Sequence, residues 1–474
     1  MSFQGFRVKS PFQGDRRSRL VVPSAAAVLA GVAGMALVGL PAPPAHAAGV
    51  QVPCSTPALI EAISTANSQP GPDTLRLAGR CTYRLTAPDG TNPANGLPAI
   101  TSEITIDGRG STIKRDEAAP DFRILLVAGT GDLTLDKVTI EGGRATDCPA
   151  TPVPGVVCGG GINNQGTMTV NHSRVTHNAA TSDVFAEGGG IDNDGTAALN
   201  HTEVSGNTAG YTGSDPGEAA GGGIANDGPL TIDHSSVHHN TVQVTANTDS
   251  FATGAGIASF AQTTIEDTLI ARNDASAPGG TVRGALTNGI PSPGTMSVTD
   301  TTIRDNTSSA PDGTVLGGGV GNGGTMFMSR SNVTGNHASS PNGVARGGGL
   351  SLGALAKLTL SRTEVQGNTA SAPDGGTALG GGIINALGGT LTTARSRISK
   401  NTATAPDGGT AQGGGIHTAV GSTTLNKSSV IGNRAGDGGG IFKASGTVAL
   451  NDTVVKLNRP NNCAPPDSVP GCIG

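Results

Sequence analysis

Tryptophan is absent from this chain, tyrosine occurs only as Tyr83 and Tyr211, and aromatic residues make up 2% of its 474 positions. A core built on large rings is therefore excluded. So is sugar recognition by a broad aromatic platform, because stacking needs exposed ring faces. Charged residues are sparse too, at 14%. No Cys-x-x-Cys or Cys/His metal spacing, Gly-x-Ser-x-Gly elbow, phosphate loop or metalloprotease motif occurs, which removes the common metal, serine-hydrolase and nucleotide chemistries. What the chain has in excess is glycine, 75 residues, and much of it is placed periodically.

Ten copies of one unit run from Gly159 to Asn458, each a Gly-rich step ending in an aliphatic residue and closed by an Asn. The closing residues are Asn178, Asn207, Asn240, Asn273, Asn306, Asn336, Asn368, Asn401, Asn433 and Asn458, spaced 25 to 33 residues apart. Within a copy, apolar residues alternate with period two, as in Thr325-Met326-Phe327-Met328, which is a strand signal. An aliphatic column stands three residues before each Asn, from Val175 to Val455. Short strands that cannot bury an apolar face alone become stable when copies stack and share one core. The pattern therefore predicts an all-β fold, a single-stranded right-handed parallel β-helix (solenoid) with three short strands per copy. The Asn columns, including a second one at Asn164, Asn193, Asn226, Asn288, Asn322 and Asn385, read as scaffold that hydrogen-bonds backbone at the corners.

Around the array, residues 1–47 read as a secretion signal peptide. They open with Arg7, Lys9, Arg16, Arg17 and Arg19, continue in an apolar run from Val21 to Leu40 and close on Ala45-His46-Ala47. Removing it takes five of 30 Lys and Arg and one of 35 Asp and Glu, leaving a net charge of −9. That surface excludes wholesale nucleic-acid binding, and no membrane insertion is expected once the signal is gone. Residues 48–98 are expected to form an N-terminal cap with an amphipathic helix over 56–63, Thr56 as N-cap and Pro57 in its first turn. Residues 99–458 form the β-helix and 459–474 a C-terminal cap over the sticky strand edges. The six cysteines fall in three local pairs at these boundaries, predicting the disulfides Cys54 with Cys81, Cys148 with Cys158, and Cys463 with Cys472 in an oxidising compartment.

The Gly-Gly-Gly-Ile steps at 188–191, 221–224 and 413–416, with the related step at 381–383, are each followed by an Asn-closed segment. They resemble the repeats of polymorphic outer-membrane proteins and of secreted bacterial right-handed β-helix proteins. The resemblance covers roughly residues 99 to 474 and implies fold more than activity, since similar solenoids serve as adhesins, polysaccharide lyases and hydrolases. Polymorphic outer-membrane proteins close with a membrane barrel, for which the residues after Asn458 are too few.

Aligning the copies on their Asn exposes a corner column six residues earlier: His172, His201, His234, Asp267, Asp300, Arg330, Arg362, Arg395, Lys427 and Asp452. Coils stacked about 4.8 Å apart turn this into a His stripe, an acidic step and a basic stripe. The basic stripe, Arg330, Arg362, Arg395 and Lys427 flanked by Arg397, is the candidate binding site for an anionic polysaccharide or cell-wall polymer, with binding that weakens in salt. His172, His201 and His234 are the metal candidates, although a flat ladder suits tetrahedral zinc poorly and ordinary surface histidines are the expectation. Asp312, Asn342, Asp374 and Asp407 read as turn residues. No cofactor motif is present, and calcium is the one ion that the acidic columns leave open. As catalytic candidates the sequence offers only Asp192, Asp194, Asp227 and His201, an acid and base mixture on neighbouring coils. The reading is an exported, monomeric, extracellular or cell-surface protein acting in adhesion, polysaccharide binding or structure without catalysis. The alternative is a polysaccharide lyase or glycoside hydrolase acting on a uronate-containing polymer.

Overall fold

In the computed structural model, residues 49–69, 71–151, 153–245, 249–289 and 294–473 are described, so the export-signal reading of residues 1–47 lies outside them. The coil beginning at Ile191 shows how one copy is built. Ile191–Asn193 forms a short strand, Asp194 and Gly195 turn, and Thr196–Asn200 and Glu203–Ser205 follow as two arms bent at His201. The chain turns at Asn207, runs outward as Thr208–Tyr211 and returns as Glu218–Ala220 to the next glycine triad. Each full copy thus carries five short strands, not three. The two additional strands are rich in Ala, Thr and Ser and flank Pro-Asp-Gly turns, so in sequence they resemble one long loop.

Successive coils pair in parallel, and the protein is an all-β parallel solenoid of about 11 turns and 3% helix. Among the described residues the strands stack into four sheets: a broad one of 25 strands that collects both arms, a back sheet of twelve, and outgoing and returning sheets of nine each. The broad and back sheets enclose the main core, where the aliphatic column from Val175 to Val430 is fully buried. The outgoing and returning sheets pack on each other through a separate, Ala-rich core that includes Ala209, Ala219, Ala338, Ala345, Ala370 and Ala378. Such small side chains allow two sheets to approach closely, so this pair forms a thin fin along the solenoid.

The Gly triad and the closing Asn meet where fin and solenoid join. Gly188 takes φ 59°, and a Cβ on Gly189 would overlap the Thr208 carbonyl of the outgoing strand. A Cβ on Gly190 would lie 2.9 Å from the Asn207 amide carbon. In this coil the neck leaves no room for a side chain at its second and third positions, whereas the copy Gly254-Ala255-Gly256 accommodates a buried methyl at the second. The Asn side chains fill the remaining polar space: Asn207 Nδ2 donates to Asn240 Oδ1 at 3.0 Å and to the Val175 carbonyl at 2.9 Å. The same amide-to-amide bond repeats from Asn178 to Asn458. This ladder is scaffold, as its pattern implied.

At the amino end the helix runs over Thr56–Ser68, longer than expected, with Ser55 and not Thr56 at the N-cap position. Leu59, Ile63 and Ala66 are buried against the first coils, and the Cys54–Cys81 disulfide holds this cap in place. Cys148–Cys158 and Cys463–Cys472 also form. The tail covers the far end only in part: Cys463–Ala464 pairs with Ile441–Phe442 of the back sheet. At that end of the broad sheet, Val454 and Leu457 remain 48% and 72% exposed.

Candidate functional site

The corner column stacks as the spacing required, and every residue in it adopts a left-handed conformation, with φ between 44° and 52°. His172, His201 and His234 lie face to face with ring centroids 5.0 Å apart, set by the strand spacing. Asp136 sits 3.3 Å from His172 Nδ1, and Asp233 sits 2.7 Å from His234 Nδ1, where it raises that imidazole's pKa. The stacked rings keep their nitrogens at separate levels. Of this stripe only His234, with Asp233 and Asp267, brings three donors within 4.8 Å of one another, and those acids are partly or fully exposed.

The basic stripe is less uniform than its sequence. Arg330 grips Asp300 with two nitrogens, at 2.6 and 2.8 Å, and Arg397 lies 3.4 Å from Glu364. Arg362, Arg395 and Lys427 stand at one corner on consecutive coils; the Arg362 and Arg395 backbone N–H groups donate at 2.9 Å to the carbonyls of Ala394 and Asn426, the residues preceding Arg395 and Lys427. At the fin tip, Asn342 Nδ2 donates to Asp312 Oδ1 at 2.9 Å, as suits turn residues.

The catalytic candidates separate. Asp192 is the outward residue of a back-sheet strand, while Asp194 and Asp227 are exposed and occupy equivalent turns beyond consecutive back-sheet strands. His201 lies beyond the far end of Thr196–Asn200. Five residues of strand, about 17 Å, stand between that imidazole and the acids. His201 therefore does not belong with them; the sequence ordered them closely, but the intervening strand is extended.

The structure supplies other neighbours. The returning sheet and the back sheet adjoin at the glycine steps, where Glu187 of one comes within 4.8 Å of Asp192 of the other, and the seam or furrow between them runs along the solenoid. One wall carries the residue preceding each glycine step: Cys158, Glu187, Ala220, Thr253, Arg283, Leu316, Arg346, Leu379 and Gln412. The other carries the middle residues of the back-sheet strands, including Asn163, Asp192, Thr287, Ser351 and His417. Alignment on the glycine triad instead of the Asn would have revealed both columns. Glu187, Arg283, Arg346 and His417 were missed for that reason, while Glu218 and Arg123 lie outside both columns.

The acidic end is densely charged. Glu187 and Asp192 offer carboxylate oxygens within 4.8 Å of each other. Burial, then the surrounding carboxylates, push both well above the ordinary range. Asp227, at the rim beside Asp194, is pushed up to about 6 by the packed surroundings and by that neighbour. Asp192 is 1% exposed; its Oδ2 accepts from Asn163 Nδ2 at 2.7 Å while its Oδ1 has no partner. Arg123, fully buried one layer away, donates to Asn95 at 3.0 Å and to the Cys158 carbonyl at 3.1 Å, and pairs with Asp147 at 2.6 Å.

Further along, Arg283 lies 4.1 Å over the Phe251 ring and 3.4 Å from Glu218. Arg346 is half-buried and its Nε has no partner. His417 is stacked on Phe442 with centroids 5.3 Å apart. Burial and the nearby Arg346 charge push its pKa down to about 4. The furrow thus places carboxylates at one end and two guanidinium groups with a neutral imidazole toward the other.

No protein-family model matches this chain, and no curated protein sequence matches it. The resemblance to polymorphic outer-membrane protein repeats therefore finds no family support, and what stands is the parallel β-helix. Among solved structures, the Azotobacter vinelandii mannuronan C-5 epimerase AlgE6 A-module is similar at 14% identity over 87% of this chain and 95% of that one, with a TM-score of 0.38.

Proposed function

We propose that this protein binds an extended acidic polysaccharide laid lengthwise in the furrow, and that it does so as an extracellular, non-catalytic adhesion or scaffolding protein. Arg346 carries the reading. Burial lowers its pKa, and its Nε is left without a partner. A half-buried cation in that state is stabilised by an incoming anion. Arg283, two coils and about 10 Å earlier, offers a second point of contact, so a repeating polymer can meet both. The three disulfides and the absence, among the described residues, of any helix long and apolar enough to cross a membrane are consistent with an extracellular setting. Arg362, Arg395 and Lys427 add a weaker, screened attraction from the exposed corner.

Retention on a uronate-bearing matrix tests this. The wild type is expected to be retained and to elute with salt, Arg346→Gln to weaken retention about tenfold, and the double variant Arg362→Glu/Arg395→Glu to keep most of it. Full retention by Arg346→Gln would overturn the furrow as the binding surface. Loss only in the corner variant would move the function to the basic stripe.

A second reading, cleavage of the bound glycan, is favoured by the Glu187 and Asp192 pair. Two nearby carboxyl groups with raised pKa values can divide the acid and base roles. Shortening of an acidic polysaccharide by the wild type but not by Glu187→Gln supports it; unchanged chain length across a panel removes it.

A further inference from the structure

We infer that the acidic end of the furrow is a binding site for one divalent cation of the calcium class, held by oxygens of Glu187 and Asp192, with Asp194 and Asp227 adding negative charge at its rim. The first observation is proximity: oxygens of Glu187 and Asp192 lie within 4.8 Å, and Asp194 and Asp227 border them on adjoining coils. The second is independent of charge count. Asp192 is 1% exposed and its Oδ1 has no hydrogen-bond partner, and Asn163, fully buried beside it, leaves its own Oδ1 unpartnered. The Asn163 Nδ2 already donates to Asp192 Oδ2 at 2.7 Å. The pocket is therefore rich in acceptors and short of donors, and a buried acceptor without a donor is costly. A cation satisfies several such oxygens at once.

The donor set selects the ion. Calcium takes six to eight oxygens in flexible geometry, from mono- or bidentate carboxylates, amide carbonyls and water. The neighbouring sulfurs of Cys148 and Cys158 are joined in a disulfide and provide no thiolate, which disfavours soft metals.

The test uses the purified full chain, stripped with chelator and titrated with calcium chloride alone, read by calorimetry and by the thermal midpoint. One calcium per chain and a midpoint that rises with calcium and falls again with chelator are expected, with magnesium weaker. Asp192→Asn should lose at least tenfold in calcium affinity while its calcium-free midpoint stays at or above that of the wild type, because a repelled charge has been removed. Should that variant fold poorly, the rim variant Asp194→Asn/Asp227→Asn serves, with the same expected loss. No binding by the wild type up to about 10 mM, above the range of weak extracellular calcium modules, overturns the site. Unchanged affinity in the folded variants, or loss in Asp312→Asn/Asp374→Asn at the fin tip instead, overturns it equally.

Discussion

Asp227 and His417 lie toward opposite ends of the furrow and are held from their ordinary protonation states in opposite senses. Asp227 is raised to about 6, so its contribution to stability is complete below its unfolded pKa near 4 and is lost as pH climbs through 6. His417 is depressed to about 4, so its contribution is complete above its unfolded pKa near 6.5 and is lost as pH falls toward 4. Denaturant unfolding in calcium-free buffer from pH 4 to 7 separates the two. The stability difference between wild type and Asp227→Asn should shrink or reverse as pH rises across 4 to 6. The difference between wild type and His417→Phe should grow across 4 to 6.5, by up to about 3 kcal/mol. At Asn306 the expectation is larger than for a surface amide. Its Oδ1 accepts from both nitrogens of Asn273, and its Nδ2 donates to the Ile270 carbonyl and to Asn336. Asn306→Ala should cost about 2 to 4 kcal/mol in a urea melt, since buried groups on both neighbouring coils lose partners.

At the scale of the element, the neck between fin and solenoid explains why the repeats need glycine at some positions and merely accept it at others. A Cβ on Gly381 would overlap the Thr402 backbone, so a side chain there requires the crossing chain itself to shift, as the copy holding Ala255 must. Gly367 has φ 63° but no atom within 4 Å of where its Cβ would stand. Gly367→Ala should therefore cost about 1 kcal/mol, the strain of a left-handed alanine. Gly381→Ala should cost several times more or prevent folding, as seen by comparing soluble yield and unfolding midpoints. The repeat period was legible because residues 16 to 20 apart, such as Gly190 and Asn207, meet in this neck. The fin itself was not legible. Its strands bury alanines against alanines, a pattern with too little hydrophobic contrast to separate strand from loop.

Across the whole molecule, stability is arranged coil by coil, so the ends open first. Cys54–Cys81 holds the helix Thr56–Ser68 over one end, and Cys463–Cys472 closes the short tail that pairs with the back sheet at the other. Reduction should speed amide exchange in the first coils and in Cys463–Ala464, while the Asn ladder from Asn240 to Asn368 stays protected. Uniform loss of protection would show instead that the array unfolds as one unit.

Sequence by itself determined the solenoid, the parallel stacking, the ladders and the disulfide pairing, because each follows from a period or a local spacing that repeats whatever surrounds it. It also placed Asp192, Asp194 and Asp227 together. Tertiary structure alone decided that His201 is remote from them and that Glu187 and Asn163 border Asp192. It alone decided that Arg283, Arg346 and His417 share a furrow with the acids. Those neighbours come from the glycine steps that join the two sheets, where segments distant along the chain meet, and the repeat period alone does not say which columns stand side by side.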